Sequence, residues 1–511
     1  MKIYLLILFI LPLRVFAQSG LDTTFLLPGT RLTTIAAVLV EHDTIVCVGN
    51  IYNLAGANGI HFSKYDSTGN LLSYNIIADI GLINDVGEYT GFIKTSDGGY
   101  AILSGTNIGQ NVLLIKLDHN GEEQWTTEIT RPDLEVIYAD GLVECQDGYM
   151  VAGVGDIANS TNSAFISKTN QNGTIQWSKK YILSGWDTGF RQIIKKNDNS
   201  FWVSGGQGNY GGGCGSTILS KGRAWIMEID SLGNVKYEWK SAIPESEALA
   251  IISSVNDTEI VYSTVKIKYN VTYGDTVQLK LRKINPTTNQ TVWQHYQSPL
   301  VLTCFNSGWY GLEQNPVDGG WDIVGSYQSA ENGWVISGVC AHTSPEGELQ
   351  WIRRDTIYTS PEIYIDRNLL RCVAHLSSGS IVAGGYIRKA EPELHDEAWL
   401  IKYSINGCVE PLDCASVGTY TAASNELIVK VYPNPFSKAL NIQFYNSLPT
   451  QRTRFILTNG LGYRVAEYRL IASTNDIQVG DLPPGLYFWQ IWDDNRILKQ
   501  GKLVNYGDRG F

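Results

Sequence analysis

Basic runs are missing from this chain. Lys and Arg nowhere cluster, and 39 basic against 50 acidic residues leave a formal net charge of -11. Nucleic acid and anionic membrane surfaces both need a basic footprint, so neither is a main partner. No Cys-x-x-Cys and no paired His spacing occurs, and the histidines (His42, His61, His119, His295, His342, His375, His395) are scattered. The usual metal-ligand patterns are therefore absent, and neither a metal site nor a cofactor is expected. The acidic cluster Glu391, Glu393, His395, Asp396 and Glu397 reads as a solvated loop, and a calcium ion has no support beyond it. After the first residues no apolar run is long enough to span a bilayer. Methionine is scarce (3), whereas Gly (51), Tyr (28) and Trp (14) are plentiful among polar turns, the make-up of an all-β protein.

The first residues are an address. Lys2 is basic, Ile3–Leu13 is apolar, and Val15-Phe16-Ala17 offers small residues for cleavage, which predicts a signal peptide over 1–17 cut between Ala17 and Gln18. Gln18 in place of Cys argues against a lipoprotein. Eight cysteines in an exported chain permit disulfides but do not fix their connectivity. The expected pair is Cys408 with Cys414, a short loop where the repeats stop. Cys47, Cys145, Cys304, Cys340 and Cys372 lie in or beside strand-like runs and suit buried thiols as well as bridges.

The stretch Ser96–Trp125 sets the plan of the body: Ser-Asp-Gly-Gly-Tyr, AILSGT, VLLIKLD, His-Asn-Gly, EEQW. Two tight turns separate extended segments, so each copy is a small antiparallel sheet with a face it cannot bury alone. The plan returns in seven copies roughly 50 to 60 residues apart, from TIVCVG with HFSKYD to IVAGGY with AWLIKYS. Strands of the VLLIKLD type are apolar at consecutive positions, the mark of a strand covered on both faces. Trp125, Trp177, Trp239, Trp293 and Trp351 follow the second turns and are placed to fill the gap to the next sheet. The seventh copy lacks its outer strand, and LDTTFLL at 21–27 belongs to no copy. We expect it to close the last blade of a seven-bladed β-propeller spanning 18–408.

Long insertions all join the second and third strands of their copies and should emerge on one rim. Tyr52, Tyr210, Tyr269, Tyr273 and Tyr327 are the candidate ligand-binding residues there, suited to stacking on sugars or peptide. The Gly205–Gly215 run lacks the Lys-Ser/Thr of a phosphate loop and opens no helix, and Cys214 within it has no local His to make it catalytic. No catalytic residue is assigned, and an enzyme is less expected than a binding protein.

Residues 409–425 carry Pro, Ser, Thr and Ala without periodicity and form a linker. Residues 426–511 then read as alternating strands of a small Ig-like β-sandwich. Their motifs are Tyr432-Pro433-Asn434-Pro435-Phe436, Leu482-Pro483-Pro484-Gly485-Leu486-Tyr487 and Gly501-Lys502-Leu503-Val504. In order, at the C-terminus and behind a signal peptide, they resemble the type A C-terminal sorting domain of the type IX secretion system of Bacteroidota. Asn459 departs from that pattern, which usually has Asp. The resemblance implies an outer-membrane translocon and a sortase-like protease as partners, with delivery to the cell surface or the medium.

The strand-turn-Trp pattern also looks like the tryptophan-docking repeats of quinoprotein propellers, but the vicinal cysteines of many such enzymes are missing. Asp97-Gly98-Gly99 and Asp318-Gly319-Gly320 look like sialidase Asp boxes, yet the aromatic follows too soon. The expectation is an exported binding or adhesion propeller for an extracellular glycan or protein. The alternatives are a polysaccharide-active hydrolase or lyase, a quinone-type enzyme and a structural surface protein.

Overall fold

The computed structural model describes residues 21 to 505 apart from 54–57, 78–84, 87–90, 106–110, 132, 135, 157–161, 184–185, 209–222, 242–246, 255, 257, 269–275, 298–307, 329–335, 359–366, 390–394, 410–428, 445–448, 451, 460–462 and 494–495. Among these every regular element is a strand. The chain divides into two compact units, Met1–Tyr420 and Thr421–Phe511. The proposed cleavage site Ala17/Gln18, Tyr210, Tyr269, Tyr273, Cys214, Cys304 and Cys414 lie outside the described residues.

The first unit is a succession of antiparallel sheets, each built on a meander of consecutive strands, with Thr30–Thr33 added to the first beside Thr44–Asn53 and Asp85–Val86 to the second beside Tyr100–Gly105. The first holds Ala37–Glu41, Thr44–Asn53, Asn58–Tyr65 and Leu71–Ile77, and the second Phe92–Lys94, Tyr100–Gly105, Val112–Leu117 and Glu123–Ile129. The third runs Val136–Cys145, Gly148–Asp156, Ser163–Asn170 and Ile175–Tyr181. The fourth follows with Asp187–Asn197, Ser200–Gly208, Arg223–Asp230 and Val235–Lys240. The fifth holds Glu247–Ser254, Ile260–Lys268, Thr276–Asn285 and Gln290–Gln297, and the sixth Gly308–Gln314, Trp321–Gln328, Ile336–Thr343 and Leu349–Asp355. The seventh has three consecutive strands, Arg367–His375, Ile381–Lys389 and His395–Tyr403. Its fourth is Asp22–Phe25 from the other end of the chain, antiparallel to His395–Tyr403 with Asp22 opposite Ile401. One parallel bridge, Ile336 to Arg367, links the sixth and seventh sheets.

Burial explains the succession. All six residues of Val112–Leu117 are buried, so both faces of that third strand need cover. Each neighbouring pair of sheets supplies it through a core of its own: Phe62 with Tyr100, Leu114 with Phe165, Ile166 with Phe201, Trp202 with Tyr262, Leu281 with Trp321, Val324 with Trp399. The seventh core joins the last sheet back to the first through Leu400 and Tyr65. The Ile35 N–H donates to the Gly385 carbonyl (3.0 Å) across that same junction. Each large apolar side chain so covered contributes about 2 to 3 kcal/mol.

The second turns are built on a side-chain acceptor. Asp118 Oδ1 accepts the N–H groups of Asn120 (2.8 Å) and Glu122 (2.9 Å), and Asp66, Asn170 and Asp230 do the same in their sheets. Three residues on stands a left-handed glycine, covered by Leu21 at Gly69, by Phe62 at Gly121 and by an indole of the preceding sheet in later turns. At Gly407 (φ 78°) an added Cβ would sit 2.6 Å from the Trp351 ring, so only glycine fits. The Trp351 indole N–H also donates to the carbonyl of Ile405 (2.8 Å) in that turn. Trp125, Trp177 and Trp293 cover Gly173, Gly233 and Gly347 in the same way. Asn289 (φ 56°) ends the fifth sheet's glycine-free turn, and Trp239 packs on Tyr262 instead.

In the second unit one sheet orders Val429–Tyr432, Ala439–Phe444 and Thr474–Gln478, and the other Arg464–Arg469, Thr453–Asn459, Gly485–Asp493 and Arg496–Asn505. Both feed one core, with Leu440 and Ile442 from the first and Phe455, Trp489 and Ile491 from the second.

Trp351→Ala should destabilise the first unit by about 3 to 5 kcal/mol, read as a lower urea midpoint. Trp351→Phe, which keeps most of the area and loses the indole donor, should cost about 1 kcal/mol beyond its lost volume.

Candidate functional site

Four first strands carry a one-residue bulge opposite the second strand. The register skips Asp140 in the third sheet, Arg191 in the fourth, Tyr310 in the sixth and Arg371 in the seventh. A glycine on the second strand makes each bulge possible. At Gly385 an added Cβ would lie 1.8 Å from the carbonyl oxygen of Leu369, and Gly153, Gly205 and Gly325 stand equally close to their first strands. Bulges re-aim side chains and gather next to functional sites.

The re-aimed side chains meet in pairs across neighbouring sheets. Arg191 Nη1 lies 2.6 Å from Asp140 Oδ2, joining the third and fourth sheets. The Arg371 guanidinium lies 4.4 Å from the centre of the Tyr310 ring and 5.9 Å from that of Tyr386, joining the sixth and seventh. Ser326 Oγ donates to the Tyr310 hydroxyl (3.3 Å). Asp140 is buried, and the other three bulged residues are half-buried. This arrangement offers one cationic fork beside aromatic faces, at Arg371, and one beside a carboxylate, at Arg191, which suits binding of polar or acidic groups. Nearby, Glu313 reaches solvent but is ringed by protein, and that enclosure raises its carboxyl above the ordinary value against the opposing charge of His375.

The described rim tyrosines fall apart from one another. Tyr327 is buried in the core shared by the fifth and sixth sheets, with Arg354 3.9 Å over its ring. Its ring is a packing element because a strand covered on both faces buries either parity of residue. Tyr52 is half-buried beneath Arg31 at 4.0 Å. The described part of the late acidic cluster is held by basic side chains: Arg388 grips Asp396 at 2.6 and 2.8 Å, and Lys389 and His395 meet Glu397 at 2.7 and 3.2 Å. Among the described residues no group of His, Cys, Asp and Glu is placed to hold a metal. Cys47, Cys145, Cys340 and Cys372 are buried free thiols. Cys408 is disulfide-bonded, and its expected pairing with Cys414 falls outside the described residues.

In the second unit the three tail motifs converge. Phe436 is fully buried with its ring edge-on to Tyr487 at 5.9 Å, and its N–H donates to the Val504 carbonyl (2.8 Å). Asn434 Oδ1 accepts the Val504 N–H (2.9 Å), while Asn434 Nδ2 donates to the Lys502 carbonyl (3.5 Å). The peptide bonds preceding Pro433 and Pro435 are cis. Tyr487 donates its hydroxyl to the Pro483 carbonyl (2.7 Å) two residues before Gly485, and Asn505 Nδ2 donates to the Leu482 carbonyl (3.1 Å). Gly501 lies under the Trp489 indole, where a Cβ would come within 2.7 Å. Tyr432 stays half-buried beside Lys430, and the Lys502 side chain is exposed. Residues 430–505 match the family described as the secretion system C-terminal sorting domain.

The chain carries a type IX sorting domain. This domain marks the protein for export, to attachment at the cell surface or to release. No curated relative matches the chain. Solved structures that resemble it include a polysaccharide lyase, 8% identical, with a TM-score of 0.42 over 76% of this chain and 100% of that one. A puromycin-hydrolysing peptidase of Mycobacterium tuberculosis is 9% identical, with a TM-score of 0.42 over 84% of this chain and 63% of that one. An apocarotenoid oxygenase of Synechocystis is 10% identical, with a TM-score of 0.37 over 60% and 68%. Likeness at this level assigns no activity.

Asn434→Ala removes both side-chain bonds to the closing strand and should destabilise the sorting domain by about 1 to 2 kcal/mol. Calorimetry should show the lowered transition, while Lys502→Ala, at an exposed position, should stay within about 0.5 kcal/mol of the parent.

Proposed function

We propose that the exported body is a seven-bladed β-propeller that acts as a binding module, followed by an Ig-like β-sandwich that serves for sorting. Seven sheets with seven shared cores, and the N-terminal strand completing the seventh sheet, support the closed ring. The signal peptide delivers the chain to the periplasm, and the translocon reads the tail. A sortase-like protease then cuts in the 409–425 linker, whose composition suits an accessible backbone.

The observation that carries the binding reading is the set of bulges at Asp140, Arg191, Tyr310 and Arg371. In a propeller the first strands surround the axis, so these four side chains would project from different blades toward one central opening. One guanidinium beside tyrosine rings and a second held by a carboxylate make that opening a receptor for a polar extracellular ligand, a glycan or protein with acidic groups. The ligand is bound and not converted in this reading. A polysaccharide-active hydrolase or lyase is the second reading, favoured by Glu313, whose raised carboxyl lies close to the same first strands.

Two experiments test this. Fractionation of a host with this export route should place the intact chain at the surface or in the medium without its tail, and a chain lacking 426–511 in the periplasm. Equal delivery of both would sink the sorting reading. Titration calorimetry of the full chain against neutral and acidic polysaccharides should find saturable binding without turnover. Arg191→Ala and Arg371→Ala should each weaken it at least about tenfold, with Tyr74→Ala on an outer strand as the neutral control. Binding unchanged in both arginine variants overturns the assigned site, and product release shifts the reading to an enzyme.

A further inference from the structure

The sixth sheet departs from the repeat at one buried place. In the second and third sheets an apolar residue on the second strand faces a lysine on the third: Ala101 opposite Lys116, Met150 opposite Lys168. Those lysines reach the aspartate of their own first turn, Lys116 to Asp97 at 2.9 Å and Lys168 to Asp147 at 2.8 Å. In the sixth sheet the pair is Asp322 opposite His342. His342 Nε2 takes the lysine's role and meets the turn residue Asp318 at 3.0 Å. Its Nδ1 has a second carboxylate, Asp322 Oδ1, at 2.8 Å.

Asp322 is fully buried and carries the contact onward. Its other oxygen accepts from His375 Nε2 at 2.8 Å, at the end of the seventh sheet's first strand. The same oxygen accepts from Asn315 Nδ2 (2.9 Å), which also donates to the Gly379 carbonyl of the seventh sheet's first turn (3.0 Å). Trp351 stacks on His342, with ring centres 5.8 Å apart and planes at 24°. Both nitrogens of His342 face carboxylate oxygens, so both must carry hydrogen for the full set of bonds. Only the imidazolium does that; the neutral ring turns a lone pair toward one carboxylate.

We infer that Asp318, Asp322, His342 and His375 form a proton-dependent clasp that fastens the sixth sheet to the seventh, closed when His342 holds both protons and loosened when it gives one up. The charged and titratable groups around it are consistent with that. Glu313 on the first strand lies opposite Asp322, Asp318 is on the turn, and Cys340 is a neighbour on the third strand. Arg353, Asp355 and Tyr403 beyond Trp351 are bound to one another, Arg353 to Asp355 at 2.8 Å and Tyr403 to Asp355 at 2.9 Å. Burial opposes charge on His342, yet the bonds and charges of Asp322 and Asp318 outweigh it and hold its proton to higher pH than a free imidazole. Burial likewise opposes charge on Asp322, and the two histidines outweigh it, holding that carboxyl below its ordinary value.

The sign follows. A raised imidazole contributes stability that is complete below its unfolded value and lost as pH rises through the folded one. A depressed carboxyl contributes stability that is present above its unfolded value and lost as pH falls through the folded one. The clasp is therefore tightest in mild acid and opens on the alkaline side.

The test uses the full chain labelled with 13C at histidine Cε1, together with thermal melting from about pH 5 to about pH 9. The resonance lost in His342→Gln should titrate in the parent above the free-imidazole value, and the parent's melting temperature should fall across the same pH range. His342→Gln should melt lower in mild acid and converge with the parent in alkali. Asp318→Asn, at a partly exposed turn position, should move both the titration and the melting step down by about one pH unit. A His342 midpoint at or below the free value overturns the clasp, as does an unchanged midpoint in Asp318→Asn. If His342→Gln does not fold, the parent's melting step and its displacement in Asp318→Asn decide the matter: no step on the alkaline side, or a step that Asp318→Asn leaves in place, overturns the clasp.

Discussion

A β-strand buried on both faces cannot be satisfied by its own sheet. Val112–Leu117 and its counterparts are in that position, and the exported unit is arranged around the need to cover them. Each sheet is both client and cover, so no sheet forms a core by itself and each of the seven cores is shared. The indoles follow from the same constraint. A ring set on the neighbour's turn glycine fixes the spacing of two sheets at their periphery, while the third strands fix it nearer the middle. Stability is therefore distributed over junctions, and the four with an indole on the neighbour's turn glycine are vulnerable through that side chain.

The candidate site depends on what the second-strand glycine permits. By letting a first-strand carbonyl approach to a distance that any Cβ would forbid, Gly153, Gly205, Gly325 and Gly385 allow one extra residue into the neighbouring strand. The extra residue is free of the alternation that the rest of the strand must obey. At those positions the chain places Asp140, Arg191, Tyr310 and Arg371, polar or amphipathic groups. A packing device thus supplies the candidate site.

Much of this was legible in the residues. Asn and Asp before glycine announced the turns, consecutive apolar runs announced strands covered twice, and the three tail motifs announced the sorting domain. The bulges were not legible, because one skipped residue leaves no trace in alternation. Tyr327 looked like a rim residue beside a long insertion, yet it is buried because burial in these strands ignores parity. Asp322 and His342 could have been found by aligning the copies with one another: the sixth places an acid where the others place an apolar residue, and an imidazole where all but the fourth place lysine. His375 had no such signal, since its role comes from the neighbouring sheet.

The pairing of Asp22–Phe25 with His395–Tyr403 bears on the order of events during folding. Trp399 donates to Asp22 across 377 residues of chain (3.0 Å), so the earliest strand to exist is the last to find its partner. Loop-closure entropy for such a contact is met only after the intervening sheets have condensed. Until then both ends of the array keep open strand edges, the surfaces most prone to pairing with other chains. The exported unit thus passes its whole synthesis as an unfinished array, and becomes resistant to such pairing in a single late step.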